Sequence, residues 1–295
     1  MAVAPESRAT VVISAHFVPA RIPFLATVLK AIRDWRIATV KVILVSNDPA
    51  IMAEVAIVAA QRDFESRGWS LILEIATDIA HPFHLTWHHK KMIPDWLSEA
   101  KETDDYFIYI EDDIVLTDQN IQYFLKFLEP LRESGLIPSF LRYEFRDQEK
   151  YAVDMTEPQL VSIYPTVTVD EAKFICPTNP YWAGFILDKS LAQEHVLSDS
   201  SDLVRSEQQS PWDVRERAAM GLTWEAIPSR YKSRYAVPLV KGRPTEDCLI
   251  WHCAQNYNTM SGTQFATLPI DKVFVEGDVS MLVARAVRKF GRLFK

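Results

Sequence analysis

The chain has 295 residues, of which 48% are hydrophobic and 24% charged, and a net charge of −7. This is a globular composition with ample material for a core. The acidic balance excludes the broad basic footprint of a general nucleic-acid binder. Cys176, Cys248 and Cys253 are too sparse for a disulfide framework and lack the CxxC spacing of a zinc site, which fits a reducing compartment. The N-terminal MAVAPESRAT has no apolar signal segment, and no run reaches the ~18 apolar residues of a membrane span. A cytoplasmic protein is expected.

Strands are expected at 10–14 (TVVIS), 41–46 (KVILVS), 71–75 (LILEI) and 106–110 (YFIYI). Helical patterns lie between them at about 22–35, 50–67 and 91–100. Such alternation predicts an α/β fold with a largely parallel sheet, whose ligands sit at the carboxyl ends of the strands. Those ends carry Ala15, His16 and Phe17, then Asn47 and Asp48, then Asp78, then Glu111, Asp112 and Asp113. A helix at about 119–134 and a strand at 139–145 follow. Beyond Asp147 the pattern turns irregular, with Pro158, Pro165, Pro177 and Pro180. With no linker or repeat, one continuous domain is expected, with a first half at about 8–146 and a second at about 147–275. The remainder, 276–295, reads as a basic amphipathic tail. Within it, 280–295 sets Leu282, Val283, Val287, Phe290, Leu293 and Phe294 among Arg285, Arg288, Lys289, Arg292 and Lys295. Such a segment either lies on an anionic membrane surface or docks on its own domain.

The stretch YFIYIEDDIVLT at 106–117 places three acids between two apolar runs. Buried acids need a partner or a metal. Mg²⁺ and Mn²⁺ take oxygen ligands, often one or two carboxylates plus substrate phosphates. A diphosphate leaving group needs such an ion as its bond breaks. The competing reading is an exposed strand end that begins a turn.

The IEDDI element resembles the Asp-X-Asp motif of nucleotide-sugar glycosyltransferases of GT-A fold, and most nearly the exostosin-type catalytic domain. That resemblance implies a Rossmann-like, mostly parallel central sheet flanked by helices, with a donor half and a more irregular acceptor half. It implies Mn²⁺ or Mg²⁺ on Asp113, with Glu111 and Asp112 serving ribose, sugar or metal. The segment HLTWHHKKMIP at 84–94 matches a family segment in which Thr86 contacts the nucleotide and Lys91 the diphosphate. The family usually has Arg at the latter place, and Lys lacks its bidentate fork. Asn47 and Asp48 would lie near base or ribose.

PYWAGFILDK at 180–189 resembles the acceptor-side glycine loop. It would place Tyr181, Trp182 and Gly184 against a sugar, since rings stack on sugar faces and Gly admits close backbone approach. Two core aromatics at a strand start would read the same way. SPWDVRERAAMG at 210–221 keeps one acid of a family pair, Asp213, because Trp212 replaces the other. Asp213 would hold or deprotonate the acceptor hydroxyl, or simply cap a helix. His252 in LIWHCAQNY matches a late histidine that returns to the metal in many GT-A enzymes. Retention and inversion both stay open.

The expected activity is metal-dependent transfer of a sugar from a UDP- or GDP-linked donor to a glycan or lipid-linked hydroxyl acceptor. The setting would be cell-surface polysaccharide or glycan synthesis, at the inner face of a membrane. A P-loop enzyme is excluded by the absence of GxxxxGK[ST]. A sugar nucleotidyltransferase would need a glycine-rich loop where this chain reads SAHFVPARIPF. A non-catalytic carbohydrate-binding or scaffold protein that retains the fold is the other alternative.

Overall fold

The structure is a computed structural model that describes residues 7–77, 79–99, 105–210 and 212–277. Asp78 and nearly all of the tail expected at 276–295 lie outside the described residues. The first strand, β1, is Arg8–Ala15. It is followed by helix α1 at Ile22–Arg33, β2 at Thr39–Ser46, α2 at Val55–Ser66 and β3 at Ser70–Ile75. Then come α3 at His88–Glu99, β4 at Asp105–Glu111, the short β5 at Ile114–Val115 and α4 at Asp118–Arg132.

β4, β1, β2 and β3 are neighbours in that order and run parallel, with Ser14 opposite Glu111, Ala15 opposite Ser46 and Ser46 opposite Ile75. Their carboxyl ends form one edge of the sheet. The central strands β1 and β2 bury nearly every residue toward their ends, whereas the edge strand β3 alternates, as its single-neighbour position requires. α1 buries Ile22, Leu25, Val28, Leu29 and Ile32, the stripe of a 3.6-residue period. α4 starts at a capping box in which Thr117 and Asn120 bond reciprocally.

The fold is mixed α/β, as expected, and its largely parallel part is the first sheet. The second half of the chain re-enters the first. Strand Gly184–Asp188 runs antiparallel to β4 and completes the first sheet. Strand Leu249–His252 lies between β5 and strand Leu141–Arg146 in another sheet. The division at 146 and 147 is therefore one of sequence texture, because the sheets cross it. Among the described residues, no helix is long and apolar enough to cross a membrane.

Candidate functional site

The backbone assembles the acidic cluster by register. β4 ends at Glu111, a turn carries Asp112 and Asp113, and β5 resumes. β5 pairs Ile114 with His252, and the Cys253 amide donates to the Asp113 carbonyl at 2.9 Å. The parallel pairing of Trp251 with Tyr143 then brings His252 beside Glu144. His252 Nε2 stands 3.2 Å from Asp113 Oδ2, and its Nδ1 stands 2.7 Å from Glu144 Oε1. Glu144 is fully buried and also accepts the backbone amides of Tyr257 and Asn258.

Arg21 enters from the short turn before α1. It bridges Asp112 and Asp113, reaching Asp113 Oδ2 at 2.8 Å. Asp112 and Asp113 are 5% and 3% exposed, so this pairing offsets a real desolvation cost. Glu111 takes a different partner, the Tyr181 hydroxyl, which donates to Oε1 at 2.9 Å. The Arg142 guanidinium lies 4.6 Å from the Tyr181 ring and pairs with Asp154 through two bonds at 2.6 and 2.8 Å. The Glu111 amide bonds to the carbonyl of Ala183, a buried residue held at φ +60°. A non-glycine residue in this region is a strained element beside the cluster.

The four ionisable groups respond unequally. Burial pushes Glu111 up to about 7, and the charge of Asp113 adds to this. Burial likewise pushes Asp112 up to about 6 despite its bond to Arg21. Burial opposes the charged form of Asp113 too, but His252 and Arg21 outweigh it and hold that carboxyl well below its usual range. Burial also opposes an imidazolium at 252, yet Asp113 and Glu144 overcome it and raise His252 to about 9.

Could this set hold a divalent ion? Asp113 Oδ1 is buried and has no hydrogen-bond partner, which leaves one carboxylate oxygen uncommitted. His252 would ligate an ion only by releasing its Nε2 proton while Nδ1–H stays on Glu144, the carboxylate–histidine arrangement that supports metal ligation. Among the described residues, no group of three or more His, Cys, Asp or Glu side chains is disposed to hold a metal by itself. An ion here would have Asp113, with His252 beside it, as its protein ligands and would take the others from phosphates and water, as Mg²⁺ does when it is bound through one or two carboxylates.

The remaining expected residues scatter around the cluster. Asn47 Oδ1 accepts the Phe17 amide at 2.8 Å and ties the ends of β1 and β2 together. Asp48 caps the short helix after β2 through the Ala50 amide. Thr86 donates to the Phe83 carbonyl at 2.8 Å. Lys91 is exposed and lines a cavity to which none of Glu111, Asp112, Asp113 or His252 contributes. Trp182 takes a packing position in place of the expected cleft position. It is 2% exposed and meets Phe140 edge-on at 4.9 Å between centroids. Gly184 is dictated by the same packing, since a Cβ there would lie 2.5 Å from the Tyr109 carbonyl and 2.6 Å from the Trp182 ring. Asp213 caps helix Val214–Ala218 in a capping box with Glu216, and its carboxylate pairs with Arg215 at 3.3 Å. It is joined to the cluster indirectly, through Trp212, whose ring meets Tyr181 edge-on at 5.1 Å.

Four residues at or near the cluster escaped the sequence reading: Arg21, Arg142, Glu144 and Asp154. The alternation in LRYEF offered a signal, because Arg142 and Glu144 are two apart and so share one face of a strand. Compared with known proteins, the chain matches no family model and no curated protein.

Proposed function

We propose that the protein is a metal-dependent glycosyltransferase of GT-A type, moving a sugar from a nucleotide diphosphate donor to a hydroxyl acceptor. The observation that carries this reading is the chain Glu144–His252–Asp113 at the carboxyl edge of the parallel sheet. Asp113 and His252 would hold Mn²⁺ or Mg²⁺, which supplies charge neutralisation for a departing diphosphate. Glu144 fixes the His252 ring. Arg21 offers a second positive group to phosphate oxygens, and its guanidinium suits bidentate recognition. Glu111, half-buried and held by Tyr181, has its carboxyl raised to about 7. Asn47 and Asp48 occupy the strand ends expected near base or ribose. Asp213 would orient the acceptor hydroxyl only after releasing Arg215. Synthesis of a cell-surface or lipid-linked glycan, with membrane contact through 280–295, belongs to the same proposal.

One observation favours a second reading. Arg21 already neutralises Asp112 and Asp113, as it would in a carbohydrate-binding protein that keeps the fold without the chemistry. Hydrolysis of UDP- and GDP-linked sugars separates the two. The wild type is expected to hydrolyse one donor slowly with Mn²⁺ or Mg²⁺, and Asp113→Asn to lose this by on the order of 10²-fold or more. A full donor panel without turnover or metal-dependent binding would leave the binding protein as the better reading.

A further inference from the structure

A cavity of about 490 Å³ lies between the start of α3, the turn before it and helix Lys189–Leu197. Small-molecule sites span about 300–1,000 Å³. Its lining is basic, with Lys90, Lys91, His84, His88 and His195, and Trp87, Pro94 and Leu203 supply an apolar wall.

Among the described residues, the acids around it already accept other bonds. Asp202 lines the cavity, but its Oδ1 accepts the amides of Val204 and Arg205 at 2.9 and 2.8 Å. Glu225 acts on Lys90 electrostatically, but its Oε1 accepts the amide and hydroxyl of Ser200 at 2.8 and 2.6 Å. Glu74 is paired with His88 at 2.9 Å.

One buried group keeps unused capacity. Lys90 is 7% exposed and its ammonium lies 4.5 Å from the Trp87 ring centroid. It donates to the Ser200 carbonyl and, at 3.4 Å, to that of Arg217, which leaves one of its three protons. Burial lowers it to about 7, with Glu225 opposing and Arg217 reinforcing the shift; a bound anion would restore its charge. His195 is fully buried and interacts with the Gly221 backbone, so it closes the cavity floor without reaching into it. The first turn of α3, a twelve-residue helix, adds positive potential to the same place.

We propose that this cavity binds a small organic phosphate: Lys90 and Lys91 take the phosphate charge, and the Trp87–Pro94 wall covers the carbon portion. The site is separate from the acidic cluster and needs no metal, so it goes beyond the glycosyltransferase reading and does not rest on it.

Isothermal titration of chelator-treated protein with phenyl phosphate and with inorganic phosphate tests this. Saturable binding of one equivalent is expected, tighter for phenyl phosphate because of the apolar wall. Lys91→Ala, at an exposed position that leaves the fold intact, should weaken it about tenfold or more, and His84→Ala should weaken it less. Lys90→Gln disturbs a buried site, so the surface variants carry the test. Asp113→Asn should leave binding unchanged. Absence of saturable binding, or unaltered affinity in Lys91→Ala, would overturn the proposal. So would dependence on Mn²⁺ or loss in Asp113→Asn, which would place the anion at the acids. The glycosyltransferase reading stands or falls separately, on metal-dependent donor hydrolysis.

Discussion

Arg21→Gln is expected to destabilise the metal-free protein by about 3–5 kcal/mol near neutral pH, the usual cost of removing one partner from a buried ion pair. Arg21 is the guanidinium that bridges Asp112 and Asp113, both nearly excluded from water. Glutamine keeps a polar group of similar reach and removes the charge, leaving two adjacent carboxylates to repel each other in a low-dielectric site. The loss should shrink toward pH 5, because Asp112, already raised to about 6 with Arg21 present, can then take up a proton. Urea unfolding at pH 7.5 and at pH 5 reads both effects. Mn²⁺ should stabilise the variant more than the wild type, since the ion would replace the missing charge. Equal stability of variant and wild type at pH 7.5 would mean that the acids do not depend on Arg21.

The second large effect is expected at Glu144. Glu144→Gln preserves shape but turns part of a pure acceptor into a donor. That donor must face either His252 Nδ1 and the Tyr257 amide, both now on Oε1, or the Asn258 amide, now on Oε2. Losing the carboxylate of this fully buried pair should cost about 3–5 kcal/mol. It should also change the pH dependence. His252 is raised to about 9 in the folded protein, above its usual ~6.5 in an unfolded chain. The folded state therefore holds the extra proton between those values. The stabilisation is complete below about pH 6.5 and is lost as pH rises through about 9. One such proton gives a slope of about 1.4 kcal/mol per pH unit. In Glu144→Gln only Asp113 would still favour the imidazolium, so unfolding free energies at pH 6.5, 7.5 and 8.5 should fall less steeply. A slope as steep as that of the wild type would show that Glu144 does not govern the histidine.

The first half of the fold was readable because its strands are long and apolar. Each of the four expected strands appears, extended by one to three residues where backbone pairing outruns the apolar run. The expected helix at 50–67 is shortened to Val55–Ser66, because Pro49 opens a separate 3-10 turn. The second half was opaque because many of its strands span only two to four residues and pair with distant partners. Such short pieces carry little periodicity.

The same distinction runs through the site. Asp113 and His252 were visible as polar residues bounding apolar strands, and register brings them together. Arg21 lies in a turn, PARIP, where nothing local marks it, and only the closed sheet gives it a partner. Trp182 and Gly184 were read as a sugar platform because an aromatic beside a glycine serves packing and binding equally well. At the Lys90–Lys91 pair the helical period decides the outcome. Lys90 lies on the inward face with Ile93, three residues on, while Lys91 faces out.

The central claim is that Asp113, held with His252 and Glu144, supports a cation that bridges the protein to a nucleotide diphosphate. Its most direct measurement is thermal unfolding of wild type and Asp113→Asn with UDP and GDP, each with and without Mn²⁺. The account predicts that Mn²⁺ and one nucleotide together stabilise the wild type by more than the sum of either alone, the joint term reaching about 2.7 kcal/mol at a ligand concentration 100 times Kd, and that Asp113→Asn lacks this joint term. An unchanged midpoint in the wild type under every condition, or an equal gain in Asp113→Asn, would contradict it.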